Sequence, residues 1–355
     1  MFPRTSTTEV SFCNLHHVAL RFKEIEFANN PLSVVQCRGS FWNEVTIMAI
    51  NKIEIKNFTV FNDITIWTSG GINVFIGENG TGKTHLLKIL NQEYTYPKTD
   101  INVSSSLAPS ALYSTMSSMD SDEMEDSNVY INWEHSMTTL PAVFIPAKEM
   151  LSMSNIVRID DKYSKSLKID RTLIDIIKKA QNIIPNTPSS IAKKVAGKLE
   201  SIMDGTVFIH PEHQTFWVRK GDGLEIPFSM EAEGFRKFGL LWQLIMNESI
   251  SEGTILLWDE PEANINPKLI PALVDVILEL SRNGVQVFIA THDYFLPKYI
   301  EVLSKESDSI AFHSLHKTDE GVKCETSNKF SNLDHNGIID EIARLYEREI
   351  EKVTG

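Results

Sequence analysis

Gly77-Glu78-Asn79-Gly80-Thr81-Gly82-Lys83-Thr84 sets three glycines, a lysine and a hydroxyl at the spacing G-x-x-x-x-G-K-[ST]. An apolar run, Ile72-Asn73-Val74-Phe75-Ile76, precedes it, and a helix-like run from His85 to Leu90 follows. The glycines permit backbone turns closed to residues with a Cβ, so successive N–H groups can converge on an anion beside the positive end of a helix. Lys83 adds a cation for β and γ phosphates, and the Thr84 hydroxyl offers one ligand to an octahedral Mg2+. Strand, loop and helix together read as a phosphate cradle.

A pair of acids lies far downstream. Thr254-Ile255-Leu256-Leu257-Trp258-Asp259-Glu260-Pro261 is an apolar strand that ends in two carboxylates. Beside a phosphate loop, an aspartate at such a strand end holds Mg2+ directly or through water, and its neighbour can orient or deprotonate an attacking water. Asp259 is therefore assigned to the metal together with Thr84, and Glu260 to catalysis. Glu262-Ala263-Asn264-Ile265-Asn266-Pro267 reads as a polar loop entering a helix over Lys268–Ser281. Val285 to Asp293 reads as another buried strand, ending at His292. An imidazole there can donate a hydrogen bond to a γ-phosphate or to the attacking water.

These groups need a sheet to hold them. At 355 residues and 42% hydrophobic content, the chain suits one large α/β domain with insertions. Ile50 to Phe58 alternates apolar and polar residues like a half-buried strand, and Phe61, Ile64, Ile66 and Trp67 predict a second. Val129-Tyr130-Ile131 and Ala142 to Pro146 predict two more. Helices are expected over Leu167–Ile184 and Ser189–Met203. Val207–Val218 and Leu224–Phe228 predict a hairpin turning at Gly221-Asp222-Gly223, with His210 and His213 in its first half and no further metal ligands near them. The tail predicts a strand pair over Ser309–Lys323. An amphipathic helix follows over Ile338–Val353, with Ile339, Ile342, Leu345, Tyr346 and Ile350 on one side.

Other stretches lack this patterning. Residues 1–47 show no sustained periodicity and read as a translated leader or a mis-called start, with the native product expected to begin at Met48. Tyr94 to Ser127 carries serine clusters and the run Asp120-Ser121-Asp122-Glu123-Met124-Glu125-Asp126, as a solvated acidic insertion would. No stretch approaches the roughly 18 apolar residues of a membrane span, and the start has no secretory core. A cytoplasmic protein without membrane contact is expected. Cys13, Cys37 and Cys324 are widely spaced and read as ordinary thiols. A net charge of −13 argues against nucleic acid binding over the whole surface. Arg158 to Glu200 nevertheless holds ten Lys or Arg against five Asp or Glu, and Lys178, Lys179, Lys193 and Lys194 form a candidate nucleic-acid patch.

Taken together, these motifs resemble the ABC-type ATPase head, in particular the AAA-like branch near the heads of the RecF, SMC and OLD proteins. The resemblance spans about Ile50 to Leu303, apart from the acidic insertion. By motif, Gly77 to Thr84 matches the Walker A loop, with His85 added to the ATP-binding set, and Ile255 to Glu260 matches the Walker B strand. Ala263 to Pro267, with Ala263 and Asn264 foremost, matches the D-loop, and His292 the switch histidine. Ile145 to Glu149 sits where the Q-loop belongs but has no glutamine, which leaves Lys148 or Glu149 for its role. The signature segment corresponds to Ala232-Glu233-Gly234-Phe235-Arg236-Lys237 ahead of a helix over Phe238–Met246. It has alanine in the serine position and Arg236 as a charge for the γ-phosphate of a second subunit.

The resemblance implies an α/β P-loop NTPase of ABC-ATPase type with a helical insertion and a lateral β subdomain. The core would run over 48–303, with the acidic insertion at about 97–127 and the helical one at about 150–205, and residues 304–355 would complete it. It implies binding and hydrolysis of Mg·ATP, a head-to-tail homodimer around two nucleotides, and a switch acting on a separate effector, a nuclease or toxin, in phage defence or DNA maintenance. Two other functions fit the same motifs: a nucleotide-gated scaffold with little turnover, favoured by Ala232, and the ATPase subunit of a transporter. Phe58 or Phe61 is the candidate platform for an adenine, although no base-specific motif separates ATP from GTP.

Overall fold

The computed structural model describes residues 49–95, 130–134, 141–158 and 170–354. The expected leader, the acidic insertion at 97–127, Cys13 and Cys37 lie outside the described residues.

Alternating apolar residues build the first sheet. Strand β1 (Lys52–Phe58) buries Ile53, Ile55 and Phe58. It pairs antiparallel with β2 (Phe61–Trp67) on one side, Ile53 opposite Ile66, and with β4 (Tyr130–Glu134) on the other. Between β2 and β4 in the chain come β3 (Ile72–Gly77), the phosphate-loop candidate, and helix α1 (Lys83–Thr95). The helix begins at Lys83 itself, so the loop feeds straight into its first turn.

Next come β5 (Ala142–Ile145), a 3-10 turn at Leu151–Arg158, and helices α2 (Arg171–Ala180) and α3 (Ser190–Met203). Asp170 caps α2 by accepting from the Thr172 amide, and its other oxygen accepts from Lys88 Nζ at 2.6 Å, joining α2 to α1. Ser189 caps α3 by accepting from the Ala192 amide. The helical stretch expected over Leu167–Ile184 is shorter. Its residues 167–169 lie outside the described residues, and α2 ends at Ala180 with Gln181 as its C-cap, the Gln181 amide bonding the Ile177 and Lys178 carbonyls.

The expected hairpin is a three-stranded meander instead: β6 (Gly205–Ile209), β7 (Phe216–Lys220) and β8 (Glu225–Pro227). Val207–Val218 is two strands because Pro211-Glu212-His213-Gln214 makes its own turn, closed by His210 N to Thr215 O at 2.9 Å with Gln214 at φ +54°. His210 and His213 sit at that turn, their rings 4.6 and 5.3 Å from Trp217.

The rest of the chain supplies α4 (Glu233–Met246), β9 (Ile255–Asp259), α5 (Ile270–Arg282), β10 (Gln286–Ala290), α6 (Phe295–Leu303), β11 (Ile310–Thr318), β12 (Gly321–Ser327) and α7 (Gly337–Thr354). Helix α4 starts five residues earlier than Phe238, so the signature segment is its first turn. A 3-10 turn at Pro267–Leu269 takes the start expected for α5. Helix α6 has no counterpart in the sequence reading: Pro297 obscures it, yet a proline in the first helical turn forfeits no helical hydrogen bond.

Six strands form the central sheet in the order β12-β11-β3-β10-β9-β5, parallel except for β12 at the edge. Its strands are apolar on both faces because both are covered. Ile72, Val74, Ile76, Trp258 and Ile289 face the core shared with α2 to α6. Phe75, Leu257, Phe288 and Ala290 face α1 and the first sheet. Phe58 and Phe61 are 1% and 0% exposed in that second core, which removes both as adenine platforms. Helix α7 buries none of its residues, and Leu345, Tyr346, Ile350 and Val353 are 58–86% exposed. Only Ile338 and Ile339 at its start pack on the core.

Gly77 shows how tightly the loop is seated. Its φ is +147°, and a Cβ there would stand 2.2 Å from the Leu315 carbonyl oxygen of the neighbouring strand. Gly77→Ala is expected to destabilise the fold by about 3 kcal/mol through backbone strain and overpacking. Denaturant unfolding would show the lowered midpoint, and nucleotide titration would show binding lost with it.

Candidate active site

The ends of β3, β9 and β10 meet at the phosphate loop. The Thr84 hydroxyl in the first turn of α1 donates to both Asp259 carboxylate oxygens, at 3.1 and 3.0 Å. Their approach follows from strand order: β9 lies two strands from β3, so the end of β9 reaches α1 across β10. Lys83 is 9% exposed, and its ammonium bends back to the carbonyls of Gly77 at 2.6 Å and Glu78 at 3.0 Å. Burial lowers its pKa, while Asp259, Glu260, Glu262 and Glu78 act in the opposite direction.

Glycines shape the cradle. Gly82 has φ +89°, and a Cβ on it would lie 2.5 Å from the Phe61 ring, so only glycine lets α1 start this close to β2. The Thr81 hydroxyl donates to Glu78 O at 2.9 Å and closes the loop internally, leaving Glu78, Asn79 and Gly80 exposed. His85 is half-buried with its Nδ1 unpartnered, and burial lowers its pKa.

Asp259, 7% exposed, has its carboxyl pKa raised by burial, against the Thr84 hydrogen bond. Glu260 next to it adopts φ +45°, a left-handed conformation that costs a non-glycine residue roughly 1–3 kcal/mol. That conformation turns its carboxylate out of the sheet: Glu260 Oε1 lies 3.0 Å from His292 Nδ1, which follows β10. The turn beyond is held by Ala263 N to Glu260 O at 3.1 Å and Ile265 N to Glu262 O at 3.0 Å. Asn264, at φ +63°, donates from Nδ2 to Glu233 Oε1 at 2.9 Å. The structure thus brings together Lys83, Thr84, Asp259, Glu260 and His292, and sets Ala263 and Asn264 beside the start of α4. A cavity of about 650 Å³ opens beside these residues, between Gly77 to Asn79, His292 and the start of α7 at Ile338, and Lys83, Thr84, Asp259 and Glu260 are not in its lining.

The signature and Q-loop candidates pair with each other. Glu149, 4% exposed, accepts from the Leu151 and Ser152 amides, and Arg236 Nη1 lies 3.5 Å from its Oε2. Arg236 is turned toward this carboxylate within its own chain. Ala232 stands at the N-cap of α4 with no side-chain capping bond. The basic stretch is partly neutralised: Lys194 bonds Asn283 at 2.6 Å and lies 3.8 Å from Glu279, and Lys198 is 4.0 Å from Asp275. Burial pushes the Cys324 thiol up to about 12.

Two charged residues at the site escape sequence reasoning. Lys237, 2% exposed in α4, donates to Glu260 O at 2.6 Å. Glu262, 8% exposed, accepts from the Thr291 hydroxyl at 2.5 Å while its Oε2 has no partner. The available signal is a charge inside an apolar helix for Lys237, and a third acid close behind Asp259-Glu260 for Glu262. Burial raises the Glu262 carboxyl to about 7. Because its folded value lies above the unfolded 4.5, wild type should lose up to roughly 3 kcal/mol relative to Glu262→Gln as pH rises from 4.5 through about 7. Denaturant unfolding of both proteins at pH 4.5 and pH 8 would show the gap at the higher pH alone.

A family model described as an AAA domain, putative AbiEii toxin of a type IV toxin–antitoxin system, matches residues 114–296, just over half of the chain. The chain belongs to this AAA-domain family. A second model, an AAA ATPase domain, matches residues 48–169, so the two together reach from the first strand past the Asp-Glu pair and His292. Both models are AAA domains and the second is described as an ATPase, so family membership supports nucleotide binding and hydrolysis.

No curated protein matches the sequence. Among solved structures, an Smc head bound to the C-winged helix domain of ScpA is 13% identical with a TM-score of 0.45, over 80% of this chain and 98% of that one. An SMC head domain from Thermotoga maritima is 12% identical with a TM-score of 0.42, over 79% and 99%. An ATP-binding cassette of an ABC transporter in its ADP conformation is 16% identical with a TM-score of 0.39, over 81% and 93%. Likeness this remote says nothing about function. Among the described residues no helix is long and apolar enough to cross a membrane.

Proposed function

We propose that this AAA-domain ATPase binds Mg·ATP in the Gly77–Thr84 loop and hydrolyses it by attack of a water that Glu260 orients and deprotonates. The carrying observation is the Thr84 hydroxyl set against both oxygens of Asp259, at 3.1 and 3.0 Å, with Glu260 and His292 paired 3.0 Å apart alongside. A hydroxyl and a carboxylate are hard oxygen donors of the kind Mg2+ takes beside nucleotide phosphates. The glycine cradle and the buried Lys83 suit the polyphosphate. Thr84 and Asp259 would hold the ion, which neutralises charge on the phosphate oxygens when bound. Glu260 takes the proton from water, and His292 holds the Glu260 carboxylate in place by donating its Nδ1–H to Oε1.

In this reading two chains close head to tail around two nucleotides, each offering the first turn of α4, Ala232 to Gly234, to the other. Release after hydrolysis switches a separate effector, a nuclease or toxin, in defence or DNA maintenance. The family's description as a putative toxin of a toxin–antitoxin system supports a defence setting. A second reading, a nucleotide-gated scaffold with little turnover, draws on one observation: the N-cap of α4 is Ala232 and makes no side-chain bond. Turnover and solution mass, measured together with and without Mg·ATP, separate the two. Steady hydrolysis with nucleotide-dependent dimerisation supports the ATPase switch, and binding without turnover supports the scaffold.

A further inference from the structure

Helix α4 and the catalytic turn are joined within one chain. Lys237 extends from α4 and donates to the backbone carbonyl of Glu260 at 2.6 Å. One turn earlier, Glu233 accepts from Asn264 Nδ2 at 2.9 Å. Between them Gly234 lies so close to the turn that a Cβ on it would stand 2.8 Å from Asn264 O. Three successive contacts therefore clamp the first turns of α4 onto residues 260–264.

Glu260 needs such a clamp. Its left-handed φ of +45° is sparsely populated for a residue with a side chain, and such strain persists only where the surroundings over-determine it. Its amide is tied to Ala290 O at 2.8 Å, which fixes the strand side. Its carbonyl, on the far side, accepts from the Ala263 amide at 3.1 Å and from Lys237. A charged donor makes the stronger of those two bonds, since hydrogen bonds to ionised groups are roughly twice as strong as neutral ones. Glu233, Asp259, Glu260 and Glu262 surround the ammonium and offset part of the cost of burying it.

We propose that Lys237 is a positioning residue for Glu260: by gripping its carbonyl, the lysine holds the strained turn that aims the Glu260 carboxylate at His292. This rests on the reading of Glu260 as the group that activates water. A buried lysine that served only to neutralise Glu262 would leave the rate of the chemical step indifferent to its hydrogen bond.

The experiment compares wild type, Lys237→Met, Lys237→Arg, Glu260→Gln and the Lys237→Met/Glu260→Gln double variant, each as the full chain. Methionine keeps the length and the apolar stem while removing the donor. Lys237→Met should lower kcat about 10- to 100-fold with KM for ATP little changed, as expected for a misplaced catalytic group. Lys237→Arg, which restores a charged donor, should recover most of the loss. In the double variant the lysine substitution should cost nothing further, because the group it positions is already gone. Equal losses in both backgrounds, or a rise in KM that accounts for the fall in kcat/KM, would overturn the proposal.

Hydrogen exchange of the peptide spanning 259–265 gives a readout that needs no turnover. Its amides should exchange at least about tenfold faster in Lys237→Met, with the other strands of the central sheet unchanged. If wild type itself fails to hydrolyse ATP, the hydrolysis reading fails, and this exchange alone decides the clamp: an unchanged rate sinks it.

Discussion

Glu260→Gln is expected to slow ATP hydrolysis by about 10²–10⁴-fold while leaving nucleotide affinity nearly intact, the range that a positioned general base contributes. Glutamine has the shape of glutamate and can still meet His292 Nδ1, so the geometry of the turn survives. What it lacks is a basic oxygen to take the proton from water. An interaction needed only in the transition state lowers kcat and spares ground-state binding. A chain that binds Mg·ATP but cannot hydrolyse it should accumulate in the closed form. In the head-to-tail reading, the variant therefore runs at twice the monomer mass with Mg·ATP and at monomer mass without it. If both proteins bind nucleotide and neither hydrolyses it, Glu260 is not a working base in the isolated chain and the scaffold reading takes its place.

Asp259→Asn separates activity from stability. Loss of the charged ligand beside Thr84 should reduce Mg-dependent hydrolysis at least about 100-fold, because a bound metal ion supplies several kcal/mol of transition-state charge stabilisation. The fold should become more stable in the absence of Mg2+. Burial raises the Asp259 pKa above its ordinary 3.8, so the folded state holds this proton more tightly than the unfolded chain. Such a group supports the fold below pH 3.8 and loses that support as pH rises through its folded value. At neutral pH the ionised, partly desolvated carboxylate is a liability that a neutral amide removes. Thermal unfolding without Mg2+ at pH 7 should therefore give a higher Tm for the variant, together with near-complete loss of turnover. A lower Tm would mean that Thr84, Lys83 and Lys88 more than offset the burial of the charge.

The parts of the site that the sequence shows plainly are those where chemistry sits at the end of an apolar run. Strands β3, β9 and β10 are short, apolar on both faces and stop at Gly77, Asp259-Glu260 and Thr291-His292, so pattern and motif coincide. The central sheet could be anticipated from them. The meander could not, because the turn at Pro211–Gln214 falls inside a stretch whose flanking residues read as one strand. Phe58 and Phe61 belong to the apolar pattern of the first two strands, and their burial there leaves neither for an adenine. Local pattern also says nothing about contacts across the chain. The Lys237 bond to Glu260 spans 23 positions, and the pairing of Arg236 with Glu149 spans more.

The placement of β3 also bears on how the protein comes off the ribosome. The strand that carries the phosphate loop pairs with β10 and β11, and Val74 sits opposite Ile289 on one side and Phe312 on the other. The loop's support, the Leu315 carbonyl under Gly77, is therefore synthesised more than 200 residues after the loop. Pairings of such sequence separation form slowly and late. The nascent chain must then carry an unpaired apolar β3 through most of its synthesis, and a nucleotide can act as a folding ligand only once β11 has emerged.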